Sequence, residues 1–177
     1  MEYNFGVQVD YGVAVNFASF QKVIDAVGGV DVELTKREAN HLNSKNYTWG
    51  LSEGVNHLNG EAALTYSRIR ALDSDFNRTN RQRKVMLALL EKAKSLPVTE
   101  LYSLVETLIP MVVTDMTNSE IVNVAFDVVP LLTELQVTSQ RIPVDGEYKD
   151  AMVDGMAVLL PDLEANRQYL ADTIGKG

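Results

Sequence analysis

At 177 residues the chain is sized for one domain, since domains run to about 100–150 residues, and we read 1–177 as a single domain. Hydrophobic residues at 46% and charged residues at 23% give an ordinary globular balance that excludes a disordered or collagen-like chain. The lack of cysteine excludes disulfide scaffolds and thiol catalysis, and the net charge of −8 argues against general nucleic-acid binding.

The chain opens on strand-like sequence with no basic region and apolar stretch of a leader, compatible with a piece whose upstream part is missing. Val13–Phe17 reads as a strand, and Ala18–Val27 as a helix with Phe20, Val23, Ile24 and Val27 on one face. Gly28-Gly29 stops that helix, since glycine tolerates positive φ. Val30–Leu34 alternates as a second strand. Residues 35–58 are polar and read as a long loop. Asn59 is placed to cap a short helix over Gly60–Ser67. A longer helix is expected from about 77 to 95, stopping before Pro97. Further helical sequence follows near 98–109 and 118–133. Two strands are expected near 135–142 and 152–159, linked by Asp145-Gly146, and Pro161-Asp162 opens a last helix ended by Gly175. Strands and helices intermix, so the fold class is α/β, with helices packed on a sheet.

Charge is unevenly spread. Residues 68–84 hold Arg68, Arg70, Arg78, Arg81, Arg83 and Lys84 against Asp73 and Asp75, while the rest of the chain is strongly acidic. On a helix starting near Asn77, Arg78, Arg81 and Gln82 share a stripe with Val85, Met86, Leu89 and Ala93, which should face the protein. Arg83 and Lys84 fall on the solvated side. Cations at a helix N-terminus are unfavourable by themselves, and buried charges need partners. An anion would resolve both problems, because free N–H groups and guanidinium forks together make a phosphate site. Arg68 and Arg70 reach the same place if they project from one face of an extended segment. A structural reading stands beside this one: Asp73 and Asp75 pair with the arginines and tie down a loop.

The stretch from Val15 to Leu96 resembles the LytR-CpsA-Psr family of cell-wall glycopolymer phosphotransferases. The resemblance is carried by Val15-Asn16-Phe17, Phe20, the run Asp25–Val32, and Leu58-Asn59-Gly60-Glu61-Ala62-Ala63-Leu64-Thr65-Tyr66. It is sharpest in Arg68-Ile69-Arg70 followed by Asp75-Phe76-Asn77-Arg78-Thr79-Asn80-Arg81-Gln82. It weakens beyond residue 100, although Arg141-Ile142-Pro143 and Pro161-Asp162 still fit. It implies a mixed central sheet flanked by helices in α-β-α layers, here lacking its N-terminal strands, and a hydrophobic groove for a polyprenyl chain. It also implies a function in cell-wall assembly at the extracytoplasmic face of the membrane. The phosphate of a polyprenyl-pyrophosphate-linked glycopolymer moves to a peptidoglycan hydroxyl, with Mg²⁺ present. Carried over by motif, Arg68, Arg70, Arg78, Arg81 and Gln82 contact the pyrophosphate and Asp75 positions arginines. Phosphoryl transfer needs positioning and charge neutralisation more than a protein nucleophile. The family places a further arginine, a pair of aspartates and a transmembrane anchor upstream, where nothing before Asp10 supplies them. The expectation is therefore the C-terminal part of such a domain, with weak activity of its own.

Other signals are fainter. His41 and His57 lie on the polar stretch without an acidic cluster to complete a metal site. Asn46-Tyr47-Thr48 fits a glycosylation sequon, and Trp49 either stacks on a sugar or pins its loop. Apolar residues over 85–132 line a lipid groove or form plain core. The leading function is the phosphotransferase. The alternative is a non-catalytic binder of pyrophosphoryl lipid or anionic cell-wall polymer. A nucleic-acid module is disfavoured by charge and by the scarcity of aromatic residues among the arginines.

Overall fold

The computed structural model describes residues 2–72 and 75–174, with Asp75 described in its backbone only. In chain order the elements are α1 (Glu2–Phe5), β1 (Val13–Val15), α2 (Phe17–Ala26), β2 (Val30–Leu34) and α3 (Lys36–Lys45). A 3₁₀ turn (Tyr47–Trp49) leads to β3 (Gly54–Leu58), α4 (Gly60–Ser67), α5 (Asp75–Lys94) and α6 (Val98–Leu108). Then come β4 (Val112–Thr114), α7 (Asn118–Val128), β5 (Tyr148–Val153), β6 (Met156–Pro161) and α8 (Leu163–Ile174). The class is α/β as expected. The described strands pair in twos, all antiparallel: β1 with β4, β2 with β3, β5 with β6. The expected central mixed sheet therefore takes the form of three short ladders among the described residues.

The chain, read as one domain, divides into two compact units, one of Met1–Gly12 with Thr138–Gly177 and one of Val13–Val137. The larger unit has its core around β2, whose residues alternate buried and exposed along the strand. Val30, Val32 and Leu34 face Ile24 and Val27 of the α2 segment, Ala39 and Leu42 of α3, Ala62, Ala63 and Tyr66 of α4, and Val85 of α5. Each such large apolar side chain taken out of water contributes roughly 1.5–3 kcal/mol. A second cluster gathers Leu101 of α6, Ala125 of α7, Val129 and Leu132.

Local chemistry explains most boundaries. Asn16 caps α2 through the Ser19 amide at 2.8 Å, and Gly28 and Gly29, both at positive φ, turn the chain into β2. Asn59 accepts from the Ala62 amide at 2.9 Å and starts α4 where expected. Gly60 sits hard against α2: its amide donates to Asp25 Oδ1 at 2.7 Å, and a Cβ there would lie 2.3 Å from the Gln21 carbonyl oxygen.

Three expectations need correction. Residues 35–58 are not one loop, because Thr35 and Glu38 form a reciprocal capping box that launches α3, and residues 54–58 pair with β2 in register from Val30↔Leu58 to Leu34↔Gly54. Trp49 packs, partly buried, against the core and pins the connection. Asn46 Oδ1 accepts from the Thr48 amide and hydroxyl, a local turn bond. The C-terminal strands are displaced as well. The hairpin closes at Asp154-Gly155, with φ of 50° and 76°, the two-residue turn that suits the strand twist, and Val153 faces Met156. Residues 135–142 are irregular. Lastly, the buried stripe of α5 is narrower than expected. Arg81 and Val85 are buried, whereas Gln82 and Met86 are exposed, because both lie about 100° round the helix from the buried pair.

In the smaller unit, Asp162 caps α8 through the Ala165 amide. The fully buried Asn166 satisfies the Val144 amide and the carbonyls of Glu147 and Asp162. Arg167 donates to the carbonyls of Tyr3 and Asn4 and so holds α1. Gly175, the expected stop of α8, lies outside the described residues.

Candidate functional site

The arginines of 68–84 separate onto two sides of the segment that leaves α4. On one side, Arg68 and Arg70 line an open pocket of about 340 Å³ with His41 and Lys45 of α3 and Thr65 of α4. No carboxylate lines it. Among the described residues, neither arginine forms an ion pair with an acid. The Arg68 guanidinium instead stands over the Phe17 ring at 4.4 Å, a cation–π contact. Gln82, though exposed, reaches back beside this pocket, its Nε2 donating to the Ser67 carbonyl at 3.5 Å.

On the other side, Arg81 is 3% exposed. Its Nε donates to Glu38 Oε1 at 2.7 Å and its Nη1 to the Ile69 carbonyl at 3.0 Å. Arg81 is thus held away from the pocket that Arg68 and Arg70 line. Glu38 Oε2 meanwhile accepts from the Thr35 amide and hydroxyl, each at 2.9 Å. Burial raises the Glu38 pKa, but the Thr35 amide, the Arg81 guanidinium and the Thr35 hydroxyl outweigh it and hold the carboxyl below its ordinary value. Behind this pair lies a recess of about 350 Å³, bordered also by Asn77, Asn80 and Lys84.

The remaining candidates are dispersed. Arg78 is half-buried on α5. Arg83, expected in solvent, is half-buried and donates to Asn80 Oδ1, while Lys84 is exposed as expected. Asp73 lies outside the described residues, and so does the side chain of Asp75. His57 is occupied, with Nδ1 at 2.8 Å from Asp31 Oδ1 and Nε2 at 2.9 Å from the Gly28 carbonyl. His41 lines the arginine pocket. Among the described residues, no three His, Asp or Glu side chains gather in one place.

An apolar pocket of about 260 Å³ opens between β1, β4, α6 and α7, lined by Val13, Val105, Leu108, Val112, Ile121 and Val124 among others. Val13 is only four residues from Phe17, a span of at most about 14 Å of chain. An apolar pocket therefore lies within a short reach of the cationic one. No helix among the described residues is long and apolar enough to cross a membrane.

Sequence reasoning missed His41 and Lys45, because it left α3 as loop. The signal was present: Thr35-x-x-Glu38 is a capping box, and residues 41 and 45, four apart, share a helical face.

Known proteins are similar to the chain in fold and in sequence. The chain is 41% identical over 88 residues to the polyisoprenyl-teichoic acid–peptidoglycan teichoic acid transferase TagU of Bacillus cereus, a match covering 49% of this chain and 27% of that protein. It is 33% identical over 153 residues to the TagU transferase of Bacillus mycoides, covering 85% of this chain and 47% of that protein. The chain thus spans less than half the length of these curated relatives. The solved structure of TagT bound to LIIa-WTA superposes with a TM-score of 0.76 at 26% identity, covering 98% of this chain and 65% of that one. The LytR_cpsA_psr family matches residues 1–172, and the chain belongs to that family.

Proposed function

We propose that this chain is the pyrophosphate-gripping part of an extracytoplasmic phosphotransferase that moves a glycopolymer from a polyprenyl pyrophosphate carrier to peptidoglycan. The observation that carries it is the pocket in which Arg68, Arg70, Lys45 and His41 meet without a carboxylate among its lining residues. Guanidinium forks match phosphate oxygens two at a time, and a pyrophosphate supplies the negative charge this wall lacks. The apolar pocket near Val13 suits the first isoprene units of the carrier. TagU relatives are named for teichoic acid transfer, which supports a teichoic-acid-like polymer.

In this reading, an acceptor hydroxyl oxygen forms a bond to the polymer's phosphorus. The bond from that phosphorus to the bridging oxygen breaks, and polyprenyl phosphate leaves with the bridging oxygen. Arg68 and Arg70 neutralise charge on the phosphoryl oxygens and on the departing phosphate, with Gln82 and Arg78 completing the grip. No step runs through Mg²⁺, and the hydroxyl proton is taken up by the departing polyprenyl phosphate, which gains the negative charge as the bridging P–O bond breaks. Membrane attachment is proposed to lie in sequence outside these 177 residues.

The test is calorimetric titration with inorganic pyrophosphate and with a short-chain polyprenyl pyrophosphate. Both should bind, the lipid form more tightly, and Arg70→Ala should weaken both at least tenfold. Equal affinity for the two ligands would remove the lipid pocket from the reading. Absence of binding to either would remove the site.

A further inference from the structure

Arg81 and Glu38 are buried outside the cationic pocket, and each is joined to one of its two walls. Arg81 holds the Ile69 carbonyl at 3.0 Å, and Ile69 separates Arg68 from Arg70. Glu38 lies in the first turn of α3, one turn before His41 and two before Lys45. Its two oxygens are divided: Oε2 closes the capping box with Thr35, and Oε1 takes the Arg81 Nε–H at 2.7 Å. A chain of polar contacts thus runs from the start of α3, through a guanidinium, to the backbone that carries Arg68 and Arg70.

We infer that Glu38 and Arg81 are the positioning pair of the anion pocket, fixing the Arg68–Arg70 segment against α3 so that both walls present their cations at a set spacing. The inference rests on the pyrophosphate reading of the pocket, and it gives Arg81 a different part from the arginines that touch the ligand. The geometry favours this over a purely stabilising ion pair. A guanidinium with three donor nitrogens is spread between an acid and the one carbonyl between the two pocket arginines. A lysine gathers its three donors on one nitrogen and cannot reproduce the spacing of the Nε and Nη1 donors. Positioning of this kind matters because a displacement of about 1 Å in a charged binding group is costly to binding and catalysis.

Glu38→Gln is the sharpest variant. A glutamine can still complete the capping box through its one amide oxygen, which turns its NH₂ donor toward Arg81, so α3 keeps its start while Arg81 loses both the charge and the acceptor it faced. Leu132→Ala, in the other apolar cluster, serves as a control of lowered stability away from the pocket. Two readouts are made well below the melting temperature: inorganic pyrophosphate affinity, and hydrogen exchange, without ligand, of the Arg68 and Ile69 amides, which donate to carbonyls of α4. Glu38→Gln should lose about threefold to tenfold in affinity and speed exchange at 68–69, while Leu132→Ala changes neither. Arg81→Lys, which keeps the charge and loses the fork, should fall between parent and Glu38→Gln. Parent-like affinity and exchange in both Glu38→Gln and Arg81→Lys would overturn the inference. Faster exchange in Glu38→Gln, in a parent that binds no pyrophosphate, would support the clamp and sink the reading of the pocket instead.

Discussion

The segment 68–70 has a dry side and a wet side, and the two treat arginine in opposite ways. On the dry side Arg81 is buried and spends its donors on Glu38 and a carbonyl. On the wet side Arg68 and Arg70 are exposed, with a ring face as the strongest internal contact of Arg68. A buried cation is kept only if its partners are built in. An exposed one costs little to leave waiting for a ligand. Five arginines close together in sequence therefore do not make five equal ligands, and burial sorts holders from binders.

The largest effect expected from this contrast is on the dry side. Arg81→Ala leaves Glu38 buried without its guanidinium partner and should destabilise the fold by about 3–5 kcal/mol, measured by urea unfolding at neutral pH. A loss within experimental error would show that the pair is not a holder. The same pair makes stability depend on acid. Because the Glu38 carboxyl is more acidic folded than unfolded, the native state binds fewer protons through that range. Its stabilisation is therefore present above the ordinary glutamate pKa and is lost as pH falls through the lowered folded value. Glu38→Gln should flatten that limb of the stability–pH curve, and an unchanged limb would assign it to other carboxylates.

Arg70→Ala should do the reverse of Arg81→Ala. Its effect on stability should stay within about 0.5 kcal/mol, as for an exposed substitution, while pyrophosphate affinity falls. A melting loss as large as that of Arg81→Ala would erase the distinction between the two sides. Thr35→Ala removes one half of the capping box and should cost about 1 kcal/mol, with α3 fraying at its start in exchange measurements. The smallest effect is at Phe17. Replacing it by leucine keeps an apolar surface but removes the ring under Arg68, a contact worth about 0.5–1 kcal/mol at an exposed site. It should register as a modest change in affinity and none in fold.

Much of the fold is legible where the deciding chemistry is local. Val30–Leu34 announces itself by alternation, Asn59 by its capping side chain, and Gly28-Gly29 by the turn it permits. Even α3 and the Asp154-Gly155 hairpin are written locally. They were misread because a run of polar residues resembles a loop, and because two Asp-Gly pairs competed for one hairpin. The site is legible differently. The sequence motif brings Arg68, Arg70 and Gln82 to one neighbourhood. It does not reveal that Glu38, 43 residues earlier, faces Arg81. A partner supplied by tertiary folding leaves no trace in spacing. The same holds for His41 and Lys45, which join the pocket only because α3 packs beside α4.

The tight seat of Gly60 has a mechanical consequence for this pocket. Glycine there lets the start of α4 rest on the backbone of α2, with Asp25 as a pin. That contact is a fulcrum. From it, α4 extends eight residues, about 12 Å, to the point where Arg68 leaves the helix, while α2 runs back to Phe17 beneath that same arginine. The two helices pack against each other and meet again as a cation over a ring. A methyl group at residue 60 would meet the α2 backbone and force the start of α4 off it, so the seat of Arg68 over Phe17 depends on a glycine at the opposite end of its own helix.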